Sequence, residues 1–329
     1  MGYEVRRRSA PGQSGPYGTL YTLRGPQGDE AEIWPGLGFN VFRWFAAGAE
    51  RLYADPELFS GSRPTRSGVP ILFPFPNRIR DGRFTWDGVE YVLPANDPAQ
   101  RNAIHGFGCR SVWRVVDQGA NTECAWLTGE FRASVDVEGW HRGLWPADHA
   151  MRLTVRLSRG TLRFEATVSN PDSVPLPFGL GYHPYFLAGP DTLVECPAAR
   201  YWPLQANLPT GEPISVEGAR DLNRPRPLSE LQLDDLLTDL PARAARVDGL
   251  IERGTLYTSA GTLRLFASPA FREMVVFTPP HRQAICLEPY TCTTDAVNLA
   301  ALGYDTGWQV LNPARDGPAT WSAVMEFWL

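Results

Sequence analysis

Thirty prolines run through the 329 residues, and each would cost about 3 kcal/mol inside a helix. Their spacing leaves few stretches in which a long helix could form. The proline-free windows show a period of two instead. In residues 150–157, Met151, Leu153, Val155 and Leu157 alternate with Arg152, Thr154 and Arg156. After Ser158-Arg159-Gly160 the pattern resumes, with Leu162, Phe164, Ala166 and Val168 between Arg163, Glu165 and Thr167. Two runs with one apolar and one wet face, joined by a short glycine turn, predict an antiparallel hairpin. Trp321, Ala323, Met325 and Phe327 repeat the alternation near the C-terminus. Residues 274–277 and 284–287 are continuous apolar runs bounded by turn residues, as expected of strands covered on both faces. One segment dissents: leucines at 233, 236, 237 and 240, behind a Ser229/Gln232 capping box, predict a short helix or helical turn over residues 229–240. Glycine and proline are spread without a linker or repeat, so the expectation is all-β, with residues 1–329 forming a single large antiparallel β-sandwich.

Charge narrows the function. All 31 basic residues are arginine and none is lysine, which removes Schiff-base chemistry, pyridoxal phosphate anchoring and phosphate-loop or kinase lysines. The net charge of −5 comes from scattered residues, so neither nucleic acid nor an anionic membrane is an expected partner. No run approaches the ~20 apolar residues of a membrane span, and the start lacks an apolar signal segment. Five widely spaced cysteines, with no Cys-x-x-Cys pair, suit buried thiols in a reducing compartment. The expectation is a cytoplasmic protein, either monomer or homodimer.

Recognisable cofactor signatures are missing. Gly36-Leu37-Gly38 and Gly179-Leu180-Gly181 lack the third glycine of a dinucleotide loop. The five histidines show no ligand-like spacing, so no metal and no cofactor is expected. Three polar clusters stand out. In Pro74-Phe75-Pro76-Asn77-Arg78-Ile79-Arg80, Arg78 leaves a rigid turn and either forks onto sugar hydroxyls or a carboxylate, or caps loop carbonyls. His105, in Ile104-His105-Gly106-Phe107, and His183, in Gly181-Tyr182-His183-Pro184-Tyr185-Phe186, sit among glycines and aromatics. Such histidines are either proton carriers near neutral pH or core imidazoles bonded to backbone. Glu288, in Ile285-Cys286-Leu287-Glu288-Pro289, ends an apolar run before a proline. It is either a desolvated base with a raised pKa or an arginine partner.

Taken together these segments resemble the aldose 1-epimerase (galactose mutarotase) family. The matching pieces are Asn77-Arg78-Ile79 with Gly82-Arg83-Phe84, Asn96, His105-Gly106, His183-Pro184-Tyr185-Phe186 and Leu287-Glu288-Pro289, in the family's order across residues 70–290. The resemblance implies a β-supersandwich with a small-molecule sugar held in an open cleft. It implies His183 as the acid toward the ring oxygen and Glu288 as the base toward the anomeric hydroxyl. Arg78 and His105 would bind and polarise the sugar. An aspartate contacting sugar hydroxyls maps to Asp234-Asp235-Leu236, with Asp234 preferred over Asp235. His-Gly-Phe replaces the family's His-Gly-Gly, and Tyr-His-Pro-Tyr-Phe replaces Asn-His-Ser-Tyr-Phe. The chain therefore reads as a divergent branch whose sugar is not assumed to be galactose. The reaction implied is cofactor-free interconversion of α and β anomers of a free aldohexose. Two alternatives stay open: a hexose-6-phosphate 1-epimerase with Arg80 and Arg83 on the phosphate, and a non-catalytic sugar-binding or regulatory module. A glycoside hydrolase would need a second carboxylate facing Glu288, for which Asp234 is the nearest candidate.

Overall fold

The computed structural model describes residues 2–60, 64–242, 245–314 and 318–329. Among these the architecture is nearly all strand, with two short helices, Ala133–Asp136 and Ala296–Ala301. No described helix is long and apolar enough to cross a membrane.

The alternating segments form the expected hairpin: Ala150–Ser158 pairs with Thr161–Asn170, Met151 opposite Val168 and Val155 opposite Phe164. Thr161–Asn170 then pairs with Ala319–Trp328, so that Phe164 lies opposite Met325. These strands are the centre of a nine-stranded antiparallel sheet that also takes in Arg114–Ala120, Ala125–Arg132, Gly261–Ala267 and Ile251–Thr258. A second sheet of eight strands runs Ile214–Ser215, Arg200–Trp202, Asp234–Thr238, Glu273–Phe277, Ala284–Tyr290, Gly181–Tyr182 and Ile71–Leu72, with Tyr185–Leu187 also paired to Ala284–Tyr290. A five-stranded sheet spans Glu4 to Glu50.

The two large sheets share one core. Leu153, Phe164, Met325 and Phe327 from the first pack with Tyr182, Phe186, Val276, Ile285 and Leu287 from the second. Phe186 meets Phe327 edge-on at 4.9 Å, and Phe164 tilts against Tyr182 at 5.7 Å. Each such side chain contributes about 1.5–3 kcal/mol by leaving water, so the inner face of each strand is fixed by packing.

Two expectations fail. Residues 229–240 are not helical: Leu228–Glu230 is a single 3₁₀ turn with no side-chain cap, and Asp234–Thr238 is a strand between Arg200–Trp202 and Glu273–Phe277. Leu236 packs on one face of the sheet and Leu237 on the other. A strand buried on both faces places leucines at neighbouring positions and imitates a helical stripe. Nor does the ladder stop at Glu288. Ala284–Tyr290 continues through Pro289, which lies opposite Met274. Thr291 N–H donates to Leu180 O on the other flank, so by alternation the missing N–H of Pro289 faces that flank too. There the neighbouring strand is broken between Tyr182 and Tyr185, and no ladder bond is lost.

Candidate active site

Alternation along Ala284–Tyr290 sorts its side chains. Ile285 and Leu287 enter the shared core, whereas Cys286, Glu288 and Tyr290 face the opposite side of the sheet. Glu288 is only 2% exposed. Tyr290 O–H donates to its Oε2 through a very short hydrogen bond. Burial pushes the Glu288 carboxyl well above the usual carboxylate range. The Tyr290 hydrogen bond and Arg78 oppose that rise, and nearby Asp234 adds to it.

The break in the neighbouring strand holds His183. Its backbone N–H donates to Pro70 O at 3.0 Å, and its ring stacks on Tyr185 at 4.5 Å with the planes 5° apart. Nδ1 comes within 3.3 Å of Glu288 Oε1 but is not aligned as a hydrogen bond and has no other partner among the described residues. The Tyr185 hydroxyl lies 3.3 Å from Nε2. Burial lowers the imidazole to about 3. Both shifts favour the uncharged pair, a protonated carboxyl beside a neutral imidazole.

His105 meets the His183 ring edge-on at 5.6 Å. Its backbone is left-handed, φ 66°, and its N–H donates to Asn77 O at 2.8 Å. Gly106 follows at φ +62°, where a Cβ would fall 2.3 Å from Phe73 O; only glycine fits that approach. Burial, then His183 and Arg78, keep His105 neutral well below the usual imidazole range.

Arg78 lies on a two-residue strand, Arg78–Ile79, paired with Ala103–Ile104. Its Nε is 3.5 Å from Asp97 Oδ2, and Nη1 donates to Asn77 Oδ1 at 3.1 Å. Asp97 in turn accepts from the Asn102 side chain at 2.9 Å and from the Arg101 and Asn102 amides at 2.8 and 3.0 Å. A carboxylate so well supplied with donors stays ionised and anchors the guanidinium.

The two aspartates separate by register. Asp234 lies opposite Phe277, which lies opposite Cys286, so Asp234 shares the face of Glu288. Its carboxyl is raised by burial, with Arg78 opposing. Asp235 turns away to an ion pair with Arg220 at 2.6 Å. Arg80 and Arg83 do not converge on the site: Arg80 holds Asp295 at 3.2 Å and Arg83 holds Glu90 at 3.2 Å.

The structure thus brings Arg78, His105, His183, Asp234 and Glu288 to one region. Sequence reasoning missed Tyr290, Asp97 and Cys286. Tyr290 was accessible from its i+2 spacing to Glu288 on a strand; nothing local tied Asp97 to Arg78. Donor atoms of His183, Cys286 and Glu288 lie within 4.8 Å of one another, a possible ligand set that histidine spacing did not reveal. Burial holds both the Cys286 thiol and the Glu288 carboxyl protonated, so a metal ion would have to displace both protons. Of the three remaining histidines, His141 is exposed, His149 is buried against Phe73 and Trp140, and His281 stacks on Tyr53, which packs with Tyr185 and Cys286 beside the site.

Chemically, the arrangement offers a proton donor and a proton acceptor in contact, sheltered from water, with a fixed cation beside them. Residues 52–320 match the family model described as aldose 1-epimerase. Among curated proteins, the chain is 33% identical over 174 residues to the uncharacterized protein YphB of Escherichia coli K12, covering 53% of this chain and 55% of YphB. It is 31% identical over 116 residues to the uncharacterized YihR of the same organism, covering 35% and 34%. The chain therefore spans about half the length of the first relative and a third of the second. Among solved structures, a galactose mutarotase-like protein from Clostridium acetobutylicum superposes with a TM-score of 0.83 at 23% identity, over 99% of this chain and 98% of that one. The galactose 1-epimerase of Lactobacillus acidophilus NCFM gives 0.77 at 16% identity, over 99% and 98%. At these identities the likeness is one of fold.

Proposed function

Because the chain belongs to the aldose 1-epimerase family, we propose that it interconverts the α and β anomers of a free aldohexose by opening and closing the hemiacetal ring. The observation that carries this reading is the 3.3 Å approach of His183 Nδ1 to Glu288 Oε1 in a desolvated setting. The exchangeable oxygens of a hemiacetal, O1 and O5, are bonded to the same carbon. Two groups lying side by side can therefore address both.

In the uncharged pair the transferable proton sits on Glu288, and the neutral imidazole of His183 keeps one N–H of its own. Moving that proton from Glu288 to His183 yields carboxylate and imidazolium, the form in which Arg78 favours the anion. Glu288 then takes the O1 proton while His183 delivers its own to O5, and the C1–O5 bond opens as the C1 carbonyl forms. Rotation about C1–C2 presents the other face, and the same transfers in reverse close the ring. One proton enters and one leaves, so the enzyme ends as it began. Each positioned transfer contributes typically ~10²–10⁴-fold. Arg78 and His105 bind and polarise the sugar oxygens, and Asp234 takes a hydroxyl.

An unphosphorylated sugar is favoured because Arg80 and Arg83 already hold carboxylates. A pure binding module would have no use for a buried acid–base pair, whose desolvation costs stability. The test is anomer exchange followed by NMR or polarimetry on freshly dissolved α-glucose, α-galactose and glucose 6-phosphate. Exchange that is faster on the free hexoses and lost in His183→Ala supports the reading. Full rates in both His183→Ala and Glu288→Gln would remove the role assignment.

A further inference from the structure

The strand Ile251–Thr258 carries a β-bulge: Glu252 lies opposite Phe266 and Gly254 opposite Leu265, which leaves Arg253 as the extra residue. A bulge re-aims the side chains next to it. Thr255 Oγ1 donates to Glu252 Oε1, so two residues three apart share one face, which regular alternation forbids. Arg253 and Ile251 instead line a cavity of about 240 Å³ together with Thr238, Leu240, Arg272 and Pro269. This cavity is remote from the acid–base pair. Thr238 ends the strand that Asp234 begins, and at about 3.4 Å per residue the two stand about 14 Å apart.

Arg253 is only 5% exposed. Its Nε is buried without a hydrogen-bond partner, and the guanidinium makes no ion pair among the described residues. Burial presses its pKa below the usual arginine value, with no carboxylate among the groups that oppose the shift. The other charges around the cavity are matched. Arg272 forks onto Asp305 through Nη1 and Nη2 at 2.9 and 2.7 Å, and Asp239 pairs with Arg200. One positive charge is left over. Burying a guanidinium is costly unless an anion compensates it, and its planar fork of N–H groups matches carboxylate and phosphate oxygens. A carboxylate engages two of the five N–H groups, whereas a tetrahedral phosphate presents oxygens in several directions. The apolar lining of Leu240, Ile251 and Pro269 suits the carbon part of an ester.

We propose that this cavity is an anion site, separate from Glu288 and His183, in which the Arg253 guanidinium holds a phosphate group, free or carried on a small ester. An anion there neutralises a charge that the fold otherwise buries uncompensated, so its binding stabilises the folded chain. The site is independent of the anomer exchange proposed above.

The test titrates the full chain, in phosphate-free buffer, with inorganic phosphate, glycerol 3-phosphate and acetate at an ionic strength matched by chloride. Binding is read by titration calorimetry and by melting temperature. Saturable binding of inorganic phosphate, with a rise in melting temperature, is expected. Tighter or weaker binding of glycerol 3-phosphate separates an ester site from a free-ion site. Arg253→Met keeps the stem and removes the charge, and is expected to weaken phosphate binding at least about tenfold and to abolish the melting response. Arg253→Lys keeps the charge without the fork and is expected to bind phosphate with intermediate affinity; it carries the test should Arg253→Met fail to fold. Glucose exchange is expected to be unaffected by phosphate. Unchanged phosphate affinity in the variants, acetate bound as tightly as phosphate, or a melting response that chloride reproduces overturns the site. Competition between phosphate and glucose would put the anion at the acid–base pair and overturn it as well.

Discussion

Glu288 and Glu273 are buried carboxyls on adjacent paired strands, facing the same side of the same sheet, with Glu273 directly opposite Tyr290. Desolvation raises both, Glu273 to about 8 and Glu288 well above the usual carboxylate range. Their neighbours differ. Glu273 receives Trp202 Nε1 at 3.1 Å on one oxygen and Thr238 Oγ1 at 3.0 Å on the other. Neither partner exchanges protons near neutral pH. Glu288 takes a tyrosine hydroxyl on one oxygen and turns the other toward a histidine nitrogen that has no hydrogen-bond partner among the described residues. A raised carboxyl is thus a product of burial alone. A titratable partner is what makes it a candidate base.

The largest expected contrast is kinetic. Glu288→Gln should lower the exchange rate by roughly 10²–10⁴-fold, while Glu273→Gln should keep it within a few-fold; equal losses would break the distinction. Stability against pH comes next. A carboxyl whose pKa is raised in the fold stabilises fully below its unfolded value of 4.5, and that contribution is lost as pH rises through about 8. Above about pH 6.5, where the neutral buried histidines no longer oppose it, the unfolding free energy from denaturant titration should therefore fall toward pH 8, by up to about 1.4 kcal/mol per pH unit from this one proton. Glu273→Gln should make the slope shallower, leaving the part that Glu288 contributes, and an unchanged slope would mean that Glu273 is ionised in the fold.

Third, Tyr290→Phe removes the hydrogen bond that restrains Glu288. A hydrogen bond to a charged group is worth about 1.5–3 kcal/mol, so the acidic limb of the pH–rate profile should move up by about one to two units. Glu273→Gln should leave that limb in place. The smallest test lies on the next strand: Asp234→Asn should raise KM several-fold. Asp235→Asn should leave KM alone and cost at most about 1 kcal/mol, since its arginine partner is half-exposed.

Legibility in the sequence followed the same physics. The hairpin Ala150–Ser158/Thr161–Asn170 was readable because each strand has one wet face, and alternation survives in the residue types. Asp234–Thr238 was not, because Leu236 and Leu237 are buried on opposite faces. Arg78, His105, His183 and Glu288 each interrupt glycine-, proline- or aromatic-rich surroundings, and the backbone is left-handed at Asn77 and His105 in the first two of these segments. Their meeting required pairings distant in sequence, such as Gly181 with Tyr290 and Phe73 with Gly106. The choice of Asp234 over Asp235 is a matter of register, where one step along a strand reverses the side faced. The tie between Asp97 and Arg78 has no local trace at all.

The strand that carries Glu288 has its other surface wedged into the hydrophobic interior through Ile285 and Leu287. The aim of the carboxyl is therefore set in part from the opposite, apolar face of the sheet. Trimming those aliphatic neighbours would shift the edge that carries Glu288. Under the proposed activity, Ile285→Val and Leu287→Ala should therefore lower stability and exchange rate together, a link between the interior and the Glu288 carboxyl that runs through one strand.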